Sequence, residues 1–68
     1  MKPVSGRAMC RALERAGWVL THTRGSHHYY RRAGVGRPVC VPVHGNHVLR
    51  TGTQRAIMRQ AGLTDADL

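Results

Sequence analysis

The sequence predicts an α+β fold in which one helix, three antiparallel strands and a second helix follow one another along the chain. Three observations support this order: apolar residues recur at helical spacing in residues 5–17, short runs separated by glycines fill residues 18–43, and a second helical pattern begins near Thr51. With 68 residues, the chain can enclose one small core. We therefore expect a single domain over residues 1–68, with any functional site at its surface.

The first helix is expected between Ser5 and Gly17. A serine oxygen can accept a hydrogen bond from a free N–H of the first turn, and glycine is frequent just after a helix end. The apolar face of this helix consists of Met9, Ala12, Leu13 and Ala16.

A row of like charge runs along the same helix, because Arg7, Arg11 and Arg15 are four residues apart. Two interpretations of this row stay open. It is either a solvated helix face or a surface that follows the phosphates of a nucleic acid.

The middle of the chain predicts an antiparallel meander. Strands are expected over residues 18–24, 28–32 and 37–43, joined by short connections that contain glycines. Pro38 and Pro42 lack a backbone N–H, which favours an edge position for the third strand or an irregular strand end. A sheet of this size can bury only one face under two helices, so its other face is expected to stay open to solvent.

Strict alternation assigns side chains to the two faces of this sheet. In the first strand it places Trp18, Leu20, His22 and Arg24 on one face, which would make His22 a core or hairpin histidine. In the second strand it turns His28 away from its neighbour His27. Of the adjacent Tyr29 and Tyr30, one is expected to be packed and the other exposed.

The second helix is expected to begin at Thr51-Gly52-Thr53, where either threonine could act as the N-cap. Gly62 would end it, and the acidic residues 65–67 suggest the start of one more turn. Its inward face would consist of Ala56, Ile57 and Ala61.

Charge and composition favour a phosphate-rich partner. Eleven basic residues face three acidic ones, and ten of the eleven are arginines, whose planar guanidinium pairs bidentately with phosphate. No apolar run approaches a membrane span and no signal-peptide pattern opens the chain, so we expect a cytoplasmic protein without a membrane partner. Cys10 and Cys40 are too few for a disulfide scaffold, and we expect both to be small buried residues.

The chain contains several short blocks, and the spacing between them is more specific to a family than any single block. The blocks are Gly17-Trp18, Gly25-Ser26-His27-His28 with Tyr30, Val41-Pro42 with His44, Leu49, Gly52-Thr53, Ile57 and Gln60-Ala61-Gly62-Leu63. Together they resemble the HicA family of toxins over nearly the whole chain. The resemblance implies a fold like that of the double-stranded-RNA-binding domain, cleavage of mRNA, and neutralisation by a HicB antitoxin. It also implies that His27, which follows Gly-Ser, is the catalytic histidine. Thr51 departs from the pattern, because many relatives have proline there.

Metal-independent RNA cleavage needs a base for the 2′-hydroxyl proton, an acid for the departing 5′-oxygen, and donors to the phosphorane oxygens. His27 can supply one of the two proton transfers, and no second proton carrier is evident in the sequence. We expect no cofactor. The candidate RNA-binding residues are Arg24, Gly25, Ser26, Arg31, Gly52 and Thr53, the last two through the backbone amides of a helix start.

Other interpretations remain. His44 and His47 could hold a metal, but they lack partner ligands at motif spacing, so an RNA-contacting or solvated loop is preferred. The chain could also be a non-catalytic RNA-binding module of the same fold, or an accessory RNA- or ribosome-associated protein that acts through charge alone. The RNA sequence preference and the oligomeric state stay open.

Overall fold

The computed structural model describes all 68 residues and has the predicted order of elements. Three antiparallel strands form one sheet in the order β1-β2-β3, so the third strand lies at an edge, as the prolines predicted. A short 3₁₀ turn follows the second helix. The bounds are α1 Gly6–Arg15, β1 Val19–Arg24, β2 His27–Arg31, β3 Val39–Pro42, α2 Thr51–Ala61 and the 3₁₀ turn Asp65–Asp67.

The first helix begins as expected. The side chain of Ser5 accepts a hydrogen bond of 3.1 Å from the backbone N–H of Ala8, which makes Ser5 the N-cap. The helix ends at Arg15, and Gly17 follows with a φ of 93° that favours glycine. Gly6 is buried against β3, where a Cβ atom would overlap the carbonyl oxygen of Pro42.

Both helices pack on one face of the sheet. From the sheet, Tyr30, Val39 and Val41 are almost fully buried, and from α1 so are Met9 and Leu13. All six residues of β1 are exposed, so the helices cover mainly the β2 and β3 side of the sheet. The opposite face of the sheet carries no covering element, as predicted. Neither helix has the length and apolar character needed to traverse a bilayer.

The second helix differs from the prediction at its start. Its N-cap is Arg50 and no side chain caps the first turn, so the expectation that a threonine would do so is wrong. Gly62 ends the helix in the left-handed conformation, as expected.

The buried side of α2 also includes Gln54, which was not predicted. Its amide accepts a hydrogen bond of 3.1 Å from the backbone N–H of Val4 and donates one of 2.6 Å to the carbonyl of Lys2. A polar side chain is buried here because it satisfies the backbone of the N-terminal segment. Met58 joins it on the inner side, whereas Ala56 is only half-buried.

An irregularity in β1 changes which residues face the core. Leu20 pairs with Tyr30, but His22 pairs with Tyr29, so Thr21 is an extra residue in β1. A β-bulge of this kind reverses the alternation beyond it. His22 and Arg24 therefore share a face with Tyr29 and not with Leu20. Of the two alternatives for His22, the core position is wrong, and the hairpin position is confirmed by its pairing with Tyr29.

The two cysteines are free and differ in burial. Cys10 is buried, as expected. Cys40 is only half-buried, because it pairs with Tyr29 on the uncovered face of the sheet.

Candidate functional site

The uncovered face of the sheet, called the open face below, concentrates residues that can carry chemistry. Directly paired residues on neighbouring strands point to the same side of a sheet, and residues two apart on one strand do so as well. Applied to the observed register, these rules place eight residues on the open face: Val19, His22 and Arg24 from β1, His27, Tyr29 and Arg31 from β2, and Cys40 and Pro42 from β3.

His27 is the first residue of β2 and is exposed. It lies between Arg24 of β1 and Pro42 of β3, which are its direct cross-strand partners. Its ring meets that of Tyr29 edge to face, with ring centroids 6.4 Å apart and planes at 86°. An imidazole in this position is accessible to a substrate and has a guanidinium as its neighbour.

The turn before His27 explains its exposure. Gly25 has a φ of 57°, which is the left-handed conformation that glycine adopts most easily, and no atom approaches the place of a Cβ. Ser26 is half-buried, and its carbonyl accepts a hydrogen bond of 2.8 Å from the backbone N–H of Val43. The tight turn thus joins β1 to β2 and is tied to the end of β3.

Arg31 lies at the other end of β2 from His27. The two residues are four positions apart on one strand, which corresponds to roughly 13 Å. Arg31 pairs with Val19 and is exposed. The structure therefore brings Arg24 next to His27 but does not bring Arg31 there, although both share the open face.

Gly52 and Thr53 lie in the first turn of α2, and Thr53 lines a groove of about 420 Å³. Pro42 also lines this groove, and Pro42 is a direct neighbour of His27, so the groove lies next to the histidine end of the open face. The residues that line it are Pro42, His44, His47, Val48, Leu49, Arg50 and Thr53.

His44 and His47 belong to this groove and flank a turn, since the backbone N–H of His47 donates a 3.0 Å hydrogen bond to the carbonyl of His44. No group of three or more histidine, cysteine, aspartate or glutamate side chains lies close enough together to hold a metal ion. The groove thus offers imidazoles and one arginine, Arg50, without a ligand set of the kind that structural zinc requires.

His28 occupies the opposite side of the sheet, as alternation predicts. It pairs with the fully buried Val41 and is itself half-buried. Tyr30 is packed in the core, as expected for one of the two tyrosines, whereas Tyr29 on the open face is half-buried and not fully exposed.

The sequence of the chain decides its relationship to known proteins. A model of the family described as HicA toxins of bacterial toxin–antitoxin systems matches residues 6–63, which run from the first residue of α1 to just beyond α2. The chain belongs to the HicA toxin family. No curated protein sequence matches it. The match includes every strand of the open face and the turn that precedes His27.

The charges of this HicA toxin are distributed to favour an anionic partner. All ten arginines are exposed, and none forms a salt bridge. All three carboxylates have partners: Glu14 accepts from the hydroxyl of Tyr30, Asp67 caps the 3₁₀ turn at Thr64, and Asp65 lies 3.9 Å from the N-terminal ammonium. Because neither α1 nor the 3₁₀ turn lies on the open face, no carboxylate opposes its positive charge there.

Strict alternation placed both His22 and Arg24 on the wrong face in this HicA toxin, and His22 has contacts that only the open face provides. Its ring is stacked on Tyr29, with centroids 4.5 Å apart and planes within 3°. Its Nδ1 lies 3.1 Å from the hydroxyl oxygen of Thr21, the bulged residue. Alternation could not reveal this position, since nothing in residues 19–24 marks the bulge before β1 is paired with β2.

Proposed function

We propose that this HicA toxin is an endoribonuclease that cleaves mRNA in the cytoplasm without a metal ion, with His27 as a general acid–base catalyst. The observation that carries the proposal is the exposed position of His27 on the open face beside Arg24, within the segment that the family model matches. An imidazole can give and take protons near neutral pH. The pair provides a proton carrier and a phosphate ligand at one point of the surface.

The reaction transfers no electrons and needs only positioned protons. The 2′-oxygen of a ribose attacks the adjacent phosphorus, and the bond from phosphorus to the 5′-oxygen of the next nucleotide breaks. One proton leaves the 2′-hydroxyl and one arrives at the 5′-oxygen. A single histidine can carry one of these protons, and a positioned proton carrier contributes about 10²–10⁴-fold to the rate.

The residues around His27 suit RNA better than a small substrate. The open face is broad and carries Arg24 and Arg31 at opposite ends of β2, where they can contact separate phosphates of one strand. The backbone amides of Gly52 and Thr53 at the start of α2 offer a further contact beyond Pro42, because the N-terminus of a helix favours an anion. The Gly25-Ser26 turn allows a strand of RNA to approach the sheet closely, since Gly25 has no side chain.

The test compares cleavage with binding for three proteins: wild type, His27→Ala and His28→Ala. We expect His27→Ala to lose about 10²–10⁴-fold in turnover while its RNA affinity stays nearly unchanged. The matched control, His28→Ala, replaces the neighbouring histidine on the opposite face and should act through stability alone. Cleavage of a long RNA is followed on gels, and equilibrium binding uses the same RNA.

The outcome separates the two classes of function. If His27→Ala keeps full cleavage while circular dichroism shows an intact fold, His27 is not the catalyst, and a non-catalytic RNA-binding module with the same fold becomes the better interpretation. A parallel loss of binding and cleavage would assign His27 to phosphate contact alone.

We also propose that a HicB-like antitoxin covers the open face. Membership of the HicA family implies an antitoxin partner, and the unpaired positive charge of the open face favours an acidic surface on that partner. Inhibition would follow from steric exclusion of RNA. Co-expression with the product of the neighbouring gene should restore the growth of cells arrested by this chain, and persistent arrest would count against the pairing.

A further inference from the structure

We propose that His22 is the second proton carrier of RNA cleavage and acts as the general base, with His27 as the general acid. This inference rests on the proposed ribonuclease function and assigns the proton transfer that His27 alone leaves unfilled. The observations that carry it are the position of His22 on the open face, the hydrogen bond at its Nδ1, and a tyrosine ring shared with His27.

The bulge at Thr21 brings His22 into reach of His27. His22 is directly opposite Tyr29, and His27 lies two residues before Tyr29 on the same strand. The two histidines are therefore diagonal neighbours across the β1–β2 pair, and residues in such positions are typically about 7–8 Å apart. A phosphodiester laid between them can meet one imidazole on each side.

The hydrogen bonds of Thr21 fix the tautomer of His22. The hydroxyl of Thr21 lies 3.1 Å from the carbonyl oxygen of Tyr29, which can only accept, so the single hydroxyl proton is donated there. The same hydroxyl oxygen lies 3.1 Å from Nδ1 of His22 and must then accept a proton from it. A neutral His22 ring thus carries its proton on Nδ1 and presents the lone pair of Nε2, as a general base requires.

Tyr29 holds the two imidazoles in different orientations. The ring of His22 is stacked flat on the phenol at 4.5 Å, while the ring of His27 meets the phenol edge-on at 6.4 Å. Stacking restricts rotation of His22 about its side-chain bonds, in addition to the hydrogen bond at Nδ1. A proton carrier is effective only when it is held within reach of the proton, and both contacts serve this positioning.

Each histidine carries one of the two protons that the reaction moves. Nε2 of His22 takes the proton from the 2′-hydroxyl while the 2′-oxygen forms its bond to phosphorus. The bond from phosphorus to the 5′-oxygen breaks, and His27 in its protonated form gives its proton to that oxygen. The products are a 2′,3′-cyclic phosphate and a 5′-hydroxyl, and water later exchanges the protons of the two rings.

The groups that face the pair favour a substrate anion. Arg24 and Arg31 are the charged residues on the open face, and Tyr29 and Cys40 are its other titratable groups. Because Arg24 is the direct partner of His27, it lies where it can neutralise the phosphate held between the two histidines.

The test uses two substrates that carry the same cleavage site, first mapped with wild-type protein. One has the natural 5′-oxygen at the scissile bond, and the other has a 5′-sulfur, which leaves as a thiolate and needs no proton. The variants are His22→Asn, whose amide can still donate to Thr21, and His27→Ala. His28→Asn serves as the matched control on the opposite face.

We expect His22→Asn to lower turnover of the natural substrate by about 10²–10⁴-fold with little change in RNA affinity. The sulfur substrate should restore cleavage by His27→Ala, which lacks the acid, and should not restore it in His22→Asn, which lacks the base. Wild type should show a bell-shaped dependence of rate on pH, and each variant should lose one limb of the bell.

Full cleavage by His22→Asn overturns the inference, and so does an equal loss of binding and turnover. Rescue of His22→Asn by the sulfur substrate would overturn its assignment as the base. Failure of the proposed function looks different: either wild type cleaves no RNA, or His27→Ala cleaves like wild type. The sulfur substrate therefore separates the failure of this inference from the failure of the proposed function.

Discussion

The phenol hydroxyl of Tyr30 donates a hydrogen bond of 2.9 Å to Oε2 of Glu14 and thereby ties the middle of the sheet to α1. Tyr30 is buried on the covered side of β2, directly beside Tyr29 on the open side. Burial, together with hydrogen bonds to Cys10 and Glu14, raises the pKa of Tyr30 far above its ordinary value. Burial likewise raises the pKa of the Cys10 thiol. Both groups thus stay neutral in the folded protein.

The stability of the fold is expected to fall in alkaline solution. The unfolded chain releases the thiol and phenol protons near pH values of about 8.5 and 10, whereas the folded chain retains them. Stability is therefore complete below about pH 8.5 and declines as the pH rises, by up to about 1.4 kcal/mol per pH unit for each group. Urea unfolding at a series of pH values measures this decline.

Tyr30→Phe should remove the loss of stability at the higher pH values, where an unfolded tyrosine releases its proton, since the variant has no buried phenol to keep neutral. Tyr29→Phe is the matched control, because it removes a phenol from the open face and leaves Tyr30 in place. An unchanged pH dependence in Tyr30→Phe would show that the buried phenol is not its source.

Gly6→Ala should destabilise the protein, although the same change in an exposed helix is favourable by about 0.5–1 kcal/mol. The added Cβ would overlap the Pro42 carbonyl, a backbone atom that cannot rotate away, and would lie 3.1 Å from Cα of Val43. Overpacking of this kind costs about 1–3 kcal/mol. Gly52→Ala in α2 is the control, because no atom lies within 4 Å of the new Cβ. The urea midpoints of the two variants should move in opposite directions.

RNA binding should weaken steeply with salt. Each neutralised phosphate contributes about 0.9 to the slope of log affinity against log salt for a duplex, and about 0.7 for a single strand. Arg24→Gln should reduce the slope by about one such contribution. Arg11→Gln should leave it unchanged, because α1 packs against the covered side of the sheet, across the molecule from His27. Titrations from about 50 to about 200 mM salt provide the slopes.

The same titration decides the role of the arginine row on α1. Equal slope reductions in the two variants would show that Arg7, Arg11 and Arg15 follow RNA phosphates. Arg15 already donates a 3.0 Å hydrogen bond to the backbone carbonyl of Asp67, which favours the solvated interpretation of the row.

Cleavage should persist in EDTA. The groove next to His27 offers His44 and His47 without a third ligand residue, and imidazole can carry the required protons without a metal. The assay compares cleavage rates before and after dialysis against the chelator. A loss of activity that added Mg²⁺ or Zn²⁺ restores would contradict the prediction.

The order of elements could be predicted from the sequence because its signals are local. Ser5 caps α1 through a residue three positions away, Gly25 and Gly62 supply left-handed conformations where the chain turns or a helix ends, and prolines mark β3 as an edge. The resemblance to the HicA family placed His27, and the observed start of β2 lies one residue before the predicted start. Local hydrogen bonding and backbone sterics are sufficient for each of these features.

Features that join distant parts of the chain could not be predicted. Gln54 is buried because it bonds the backbone near Val4, which is fifty positions away in the sequence, and no pattern within α2 reveals this partner. The start of α2 at Arg50 lacks a side-chain cap, so the preference of threonine for N-cap positions was misleading there. At Gln54, a contact made across the fold outweighs local preference.

The face on which His22 lies shows most directly what the sequence determines and what only the tertiary structure decides. The sequence determines that β1 is a strand, through its residue types and its flanking glycines, and it determines the large positive charge. Only the pairing of β1 with β2 decides that Thr21 is an extra residue, because the register is set by the buried Tyr30 at one end and the turn at Gly25 at the other. Six β1 residues must match five on β2, and the surplus residue turns His22 and Arg24 to the face of His27.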